Sequence, residues 1–214
     1  MAQLFPKWTN RVPAIAVTAG VFGLCAVIGV VWYWFSPKHT QVGYSPEQPV
    51  PFNHKLHNGQ LGISCLNCHS LAEKTAAAGV PTTQTCMQCH TTIKKDSFKL
   101  APVMESYAKD IPVPWLRIHK EPDYVYFDHS IHIAVGVGCI SCHGKVNEMA
   151  QVRQDQPLSM SFCLDCHRNP APHLRPLDQV DNMDFVPTAA WLAEAKIRAK
   201  SLHPPTASCS GCHR

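Results

Sequence analysis

Five copies of one short pattern constrain this chain more than any other feature. Cys65-Leu-Asn-Cys68-His69, Cys86-Met-Gln-Cys89-His90, Cys139-Ile-Ser-Cys142-His143, Cys163-Leu-Asp-Cys166-His167 and Cys209-Ser-Gly-Cys212-His213 all read C-x-x-C-H. That is the attachment pattern of haem c. Two thiols three positions apart reach the two vinyl groups on one porphyrin edge, and the next residue aims its imidazole at the iron. The sequence therefore predicts five haem c groups. The ten cysteines form the thioethers, and His69, His90, His143, His167 and His213 are the proximal ligands.

Competing chemistries fit less well. Zinc ribbons also pair C-x-x-C units, but four thiolates give no reason for a His after every pair. A disulfide framework predicts scattered spacings, and a thioredoxin-like motif would occur once, beside a βαβ pattern absent here. Composition agrees: with eleven Cys, thirteen His and only 16% charged residues in 214, something besides side chains is expected to fill the core.

From Val12 to Phe35 the chain carries no charge, enough helix to cross a bilayer. Lys7 and Arg11 precede it, and Trp32, Tyr33, Trp34 and Phe35 close it as an interfacial belt, which predicts a cytoplasmic N-terminus. The following SPKHTQVG offers no small-x-small cleavage site, so an uncleaved single-pass anchor in the inner membrane is expected, with the haem domain periplasmic. Cys25 inside the run reads as a small buried apolar residue, since Leu24 suits lipidation poorly.

The haem region is duplicated. Phe52-Asn-His54-Lys-Leu-His57 returns about 75 residues later as Phe127-Asp-His129-Ser-Ile-His132, and two haem motifs follow each copy. Residues three apart on a helical turn project to one side. Trans ligands sit on opposite porphyrin faces, so the two His of a pair must serve different irons. His54, His57, His129 and His132 are thus predicted as distal ligands, with His119 as the fifth. His39, His173 and His203 remain possible, as do the thioethers of Met160 and Met183.

Eighteen Pro predict little regular structure beyond the anchor, short helical turns at the motifs and a helix from Pro187 to Leu202. The expected fold is a mostly helical and irregular multihaem cytochrome c with class III-like haem packing and one N-terminal transmembrane helix. The expected divisions are a cytoplasmic 1–11, anchor 12–35, linker 36–51, two-haem units 52–118 and 119–180, and a C-terminal helix with the fifth haem, 181–214. The formal charge of +4 falls to roughly −1 oxidised and −6 reduced once ten propionates are counted, which argues against nucleic acid and leaves Lys94 and Lys95 as a solvated face.

The stretches GYSPEQPVPFNHKLHNGQLGISCLNCH, VPTTQTCMQCH, IHKEPDYVYFDHSIH and FCLDCHR together resemble the pentahaem cytochrome c subunit of alternative complex III, over nearly all the chain beyond the anchor. The resemblance implies an electron-transfer subunit, not an enzyme by itself, in a quinol-oxidising respiratory or photosynthetic complex. Its implied companions are an iron–sulfur subunit, polytopic quinol-binding subunits and a further cytochrome subunit. A periplasmic cytochrome c, copper protein or oxidase would accept the electrons. One alternative is a stand-alone membrane-anchored quinol dehydrogenase, although Cys65 stands well beyond Phe35. A catalytic haem protein ranks lower, because no C-x-x-C-K variant occurs and His is plentiful enough to cap every iron.

Overall fold

The computed structural model describes residues 4–36, 41–205 and 208–213. The chain divides into two compact units, residues 1–41 and 42–214.

In the first, a short 3₁₀ turn, Lys7–Arg11, leads into helix α1, Val12–Trp34. Pro13 near its start suits the first turn, where the missing N–H would have no partner. None of its side chains is buried, as for a helix whose apolar surface meets lipid and not protein. Length and composition allow α1 to serve as a membrane anchor or as a signal sequence.

The second unit is helical and irregular, and among the described residues its only β pairings are the isolated bridges Val125–His213 and Val137–Leu174. Its short helices are where the motifs sit: α2, Cys65–Cys68; α3, Thr83–His90; α4, Ala101–Lys109; α5, His129–Ala134; α6, Ile140–His143; α7, Met160–Arg168; α8, Ala189–Ser201. The fifth motif makes a 3₁₀ turn, Cys209–Gly211. Polar caps start several of them. The Ser64 hydroxyl accepts from the Leu66 N–H at 3.2 Å, the Asp128 carboxylate from Ser130 at 2.8 Å and the Thr188 hydroxyl from Trp191 at 3.1 Å.

The last helix departs from its sequence reading at both ends. Pro187 lies before the helix and Thr188 occupies the cap, so α8 begins at Ala189 and closes at Ser201, one residue short of Leu202. Its apolar stripe packs through Ala195, 1% exposed, while the Trp191 indole N–H donates to the Leu174 carbonyl at 3.0 Å. Thr188→Ala should cost about 1 kcal/mol, seen as a lowered midpoint in thermal melts.

Side-chain core is sparse. Val50, Met87 and Val103 form one small cluster under α3 and α4, flanked by Leu100, Met104 and Trp115. Among the described residues no large side chain is completely buried, and many large apolar ones in the second unit stay exposed. For a unit of this length that is too little apolar burial to offset chain entropy unaided, which fits a fold completed by large apolar cofactors.

Candidate haem centres

The H-x-x-H pairs stand at helix starts, as the repeat predicts, but in two backbone forms. His54 caps a single π-helical turn, Lys55–Gln60, whereas His129 and His132 lie on α5. Wider π turns are uncommon and tend to occur at functional sites. Here the turn seats Gly59 against the Asn147 carbonyl, where any Cβ would collide. Beyond the C-cap Val135, Gly136 at φ +91 closes α5, with its N–H bonded to Ile133 and the next to His132.

Both pairs are held by a phenylalanine two residues upstream of the first His. Phe52 stacks on His57, centroids 4.4 Å apart, and meets His54 edge-on at 4.8 Å. Phe127 repeats this, stacked on His132 at 4.8 Å and edge-on to His129 at 4.7 Å. The F-x-H-x-x-H repeat contained this signal, but the sequence reading used only its histidines. Phe127→Leu keeps apolar bulk and loses the ring contacts, a loss of roughly 0.5–1.5 kcal/mol. If His129 and His132 bind iron as proposed from the repeat, it should shift the low-spin electron paramagnetic resonance g-values of those two irons and leave the others in place.

Three imidazole pairs stand at nearly one distance. Ring centroids are 6.3 Å apart for His57 and His90, 6.3 Å for His129 and His143, and 6.1 Å for His132 and His167, with interplanar angles of 66°, 11° and 29° respectively. Two imidazoles on opposite sides of one metal ion, with metal–nitrogen bonds of about 2 Å, place their centroids about 6 Å apart. Burial, and after it the charges of His69 and His57, lower the pKa of His54.

Ring orientation agrees. The Nδ1–H of His57 donates to the Asn53 carbonyl at 2.9 Å, that of His132 to Asp128 at 2.6 Å and that of His129 to Ala76 at 2.7 Å. Among the proximal residues, His69 donates to Gly79 at 2.8 Å, His90 to Ile93 at 2.8 Å and His167 to Pro205 at 3.1 Å. A proton fixed on Nδ1 leaves the Nε2 lone pair free for a metal. Burial reinforces neutrality: it pushes His143 down to about 3 and His54 down to about 4, and lowers His119 and His132 as well. It also raises the Cys139 and Cys142 thiols to about 12, which keeps them uncharged.

His119 is half-buried, its Nε2 has no hydrogen-bond partner, and its ring meets His143 edge-on at 4.4 Å. That is too close for the two to share an iron. His54 Nδ1 is likewise buried without a partner. His213 has the Tyr124 ring at 5.9 Å. The weaker candidates are not among these ring pairs: His173 ends a 3₁₀ turn, Met160 is exposed at the start of α7, Met183 is buried, and the exposed His203 lines one cavity together with His167. His39 lies outside the described residues.

These residues fit haem c: sparse core, orphaned imidazole nitrogens and paired rings all suit it. Comparison with known proteins supplies the class. Residues 35–111 match the class III cytochrome C family, and residues 131–214 match cytochrome c3. This chain therefore carries class III multihaem cytochrome c domains. A relative from Nitratidesulfovibrio vulgaris (Hildenborough), the multihaem cytochrome c subunit of menaquinone reductase, is 35% identical over 127 residues. The match covers 58% of this class III cytochrome and 59% of that relative's length.

Proposed function

We propose that this cytochrome is an anchored electron relay in a membrane complex that exchanges electrons with the quinone pool, carrying five haem c groups on its periplasmic side. The observation that carries the reading is the set of imidazole pairs at 6.1 to 6.3 Å, linked two by two through H-x-x-H turns. When bound, haem c supplies one-electron iron chemistry.

The chain's own residues do the holding and the tuning. Cys65, Cys68, Cys86, Cys89, Cys139, Cys142, Cys163, Cys166, Cys209 and Cys212 provide the thioethers. Pairing follows the repeat: the first His of each turn serves the first motif of its unit and the second His the second. His54 goes with His69, His57 with His90, His129 with His143 and His132 with His167. His119, with its unpartnered buried nitrogen, is left for the motif of His213. A histidine from the motif and one from the H-x-x-H turns would hold each iron and leave it no room for substrate, which favours electron transfer by a subunit over catalysis by the chain itself.

The likeness to alternative complex III supports quinol oxidation, with electrons leaving to a periplasmic cytochrome c, copper protein or oxidase. Its partners would then be an iron–sulfur subunit, polytopic quinol-binding subunits and a further cytochrome. The relative's name supports the opposite direction, delivery of electrons to menaquinone. Extraction in mild detergent, followed by addition of a menaquinol analogue and then of the oxidised quinone, separates the two. Rapid haem reduction by quinol within a multi-subunit complex is expected for the first direction, and rapid oxidation of reduced haems by quinone for the second. Haems that react with neither in the intact multi-subunit complex would refute the relay reading.

A further inference from the structure

Sequence order and spatial order of the attachment motifs differ. We infer that they form one unbranched row in the order second, first, third, fourth, fifth, so that residues 86–90 and 209–213 are its two ends. The inference rests on the reading that every motif holds a haem.

Each link in the row has its own contacts. The second and first motifs are joined by the π turn, because His57 lies 6.3 Å from His90 while the same turn is bonded to the segment that enters Cys65, the Ile63 N–H donating to the His57 carbonyl at 3.1 Å and the Ile63 carbonyl accepting from the Asn58 amide at 2.8 Å. The first and third are joined twice. One loop sends the Gly79 carbonyl to His69 and the Ala76 carbonyl to His129, and His129 faces His143. On the opposite side, Val180 accepts from the Cys139 N–H at 2.9 Å while the next carbonyl, Asp181, lies 3.8 Å from the Cys65 sulfur. No equivalent strap ties the second motif to the third among the described contacts.

Helix α5 joins the third motif to the fourth, since His129 and His132 face His143 and His167 from one turn. Pro205 joins the fourth to the fifth: its carbonyl accepts from His167, and its ring fills the space a side chain at Gly211 would need.

The consequence is a constraint on partners. One electron enters at one end for each that leaves at the other, so donor and acceptor docking belong beside residues 86–90 and 209–213. The first motif, despite being the earliest in sequence, is interior.

Iron positions in the intact holoprotein, located by anomalous scattering at the iron edge, test the order without reference to any quinol. The iron of His69 is expected to have two nearest neighbours, those of His90 and His143, while the irons of His90 and His213 have one each. An iron of His90 flanked by those of His69 and His143 would overturn the row. Fewer than five irons would instead count against the haem reading.

A second test uses the complex and its quinone-pool donor. Cys65→Ala with Cys68→Ala should split the remaining four haems into groups of one and three, with prompt reduction confined to one group. A single prompt phase reaching all four would also overturn the order.

Discussion

Replacing both Cys139 and Cys142 with Ala will lower the haem content from five to four per chain and sharply reduce the yield of folded protein. Cys139 is tied through its N–H to Val180, and His143 has the His119 ring edge-on at 4.4 Å and the His129 ring 6.3 Å away. With so few side chains buried, a lost haem there leaves a hole that no neighbouring apolar group can fill. The penalty should equal or exceed the roughly 3–5 kcal/mol of removing a large buried aromatic. Pyridine haemochrome assay against protein mass checks the count, and a denaturant titration checks the stability. The matching change at Cys209 and Cys212, at the end of the row and in a 3₁₀ turn with exposed cysteine, should be better tolerated.

His129→Ala will leave all five haems attached and convert one iron toward high spin. The side chain contributes no thioether, so attachment survives. What disappears is the imidazole that faces His143 at 6.3 Å with its planes within 11°. Electron paramagnetic resonance of the oxidised protein should show a new high-spin ferric signal, and carbon monoxide should bind one reduced iron per chain. Because Ala76 accepts hydrogen bonds from both the backbone and the ring of His129, the loop between the first and third motifs will also loosen. An unchanged low-spin spectrum would mean that His129 is not a ligand.

Much of the site was legible in the sequence because haem c chemistry writes itself into covalent motifs. The duplicated F-x-H-x-x-H marked His54, His57, His129 and His132 as candidate distal ligands and suggested that two neighbours serve two irons. What could not be read is which ring meets which. That depends on the loop 71–79 folding against His129 and on residues 180–181 lying between Cys65 and Cys139, contacts carried by backbone carbonyls that leave no mark in side-chain identity. The same holds for the Nδ1 acceptors at Gly79, Ile93 and Pro205. The π turn was hidden because KLHNGQ and HSIHIA place the same two histidines on different backbone geometries. The start of α8 was misplaced for a simpler reason: Thr188 competes with Pro187 for the helix entrance, and its hydroxyl makes the better cap.

The membrane part rests on different physics. α1 is long, apolar and unburied on every side, so its surface needs a non-aqueous neighbour or removal during export. Fractionation of cells expressing the full chain, with carbonate washing of the membranes, should leave the cytochrome in the pellet if α1 is retained as an anchor.

The central claim is that every C-x-x-C-H motif holds a covalent haem. Mass spectrometry of the intact chain under denaturing conditions tests it most directly, because thioether-bound haem survives unfolding and ligated metal does not. The account predicts a single dominant species carrying five haem increments on the chain from which it was made. A species with four or fewer increments, or a bare chain that releases zinc on unfolding, would contradict it.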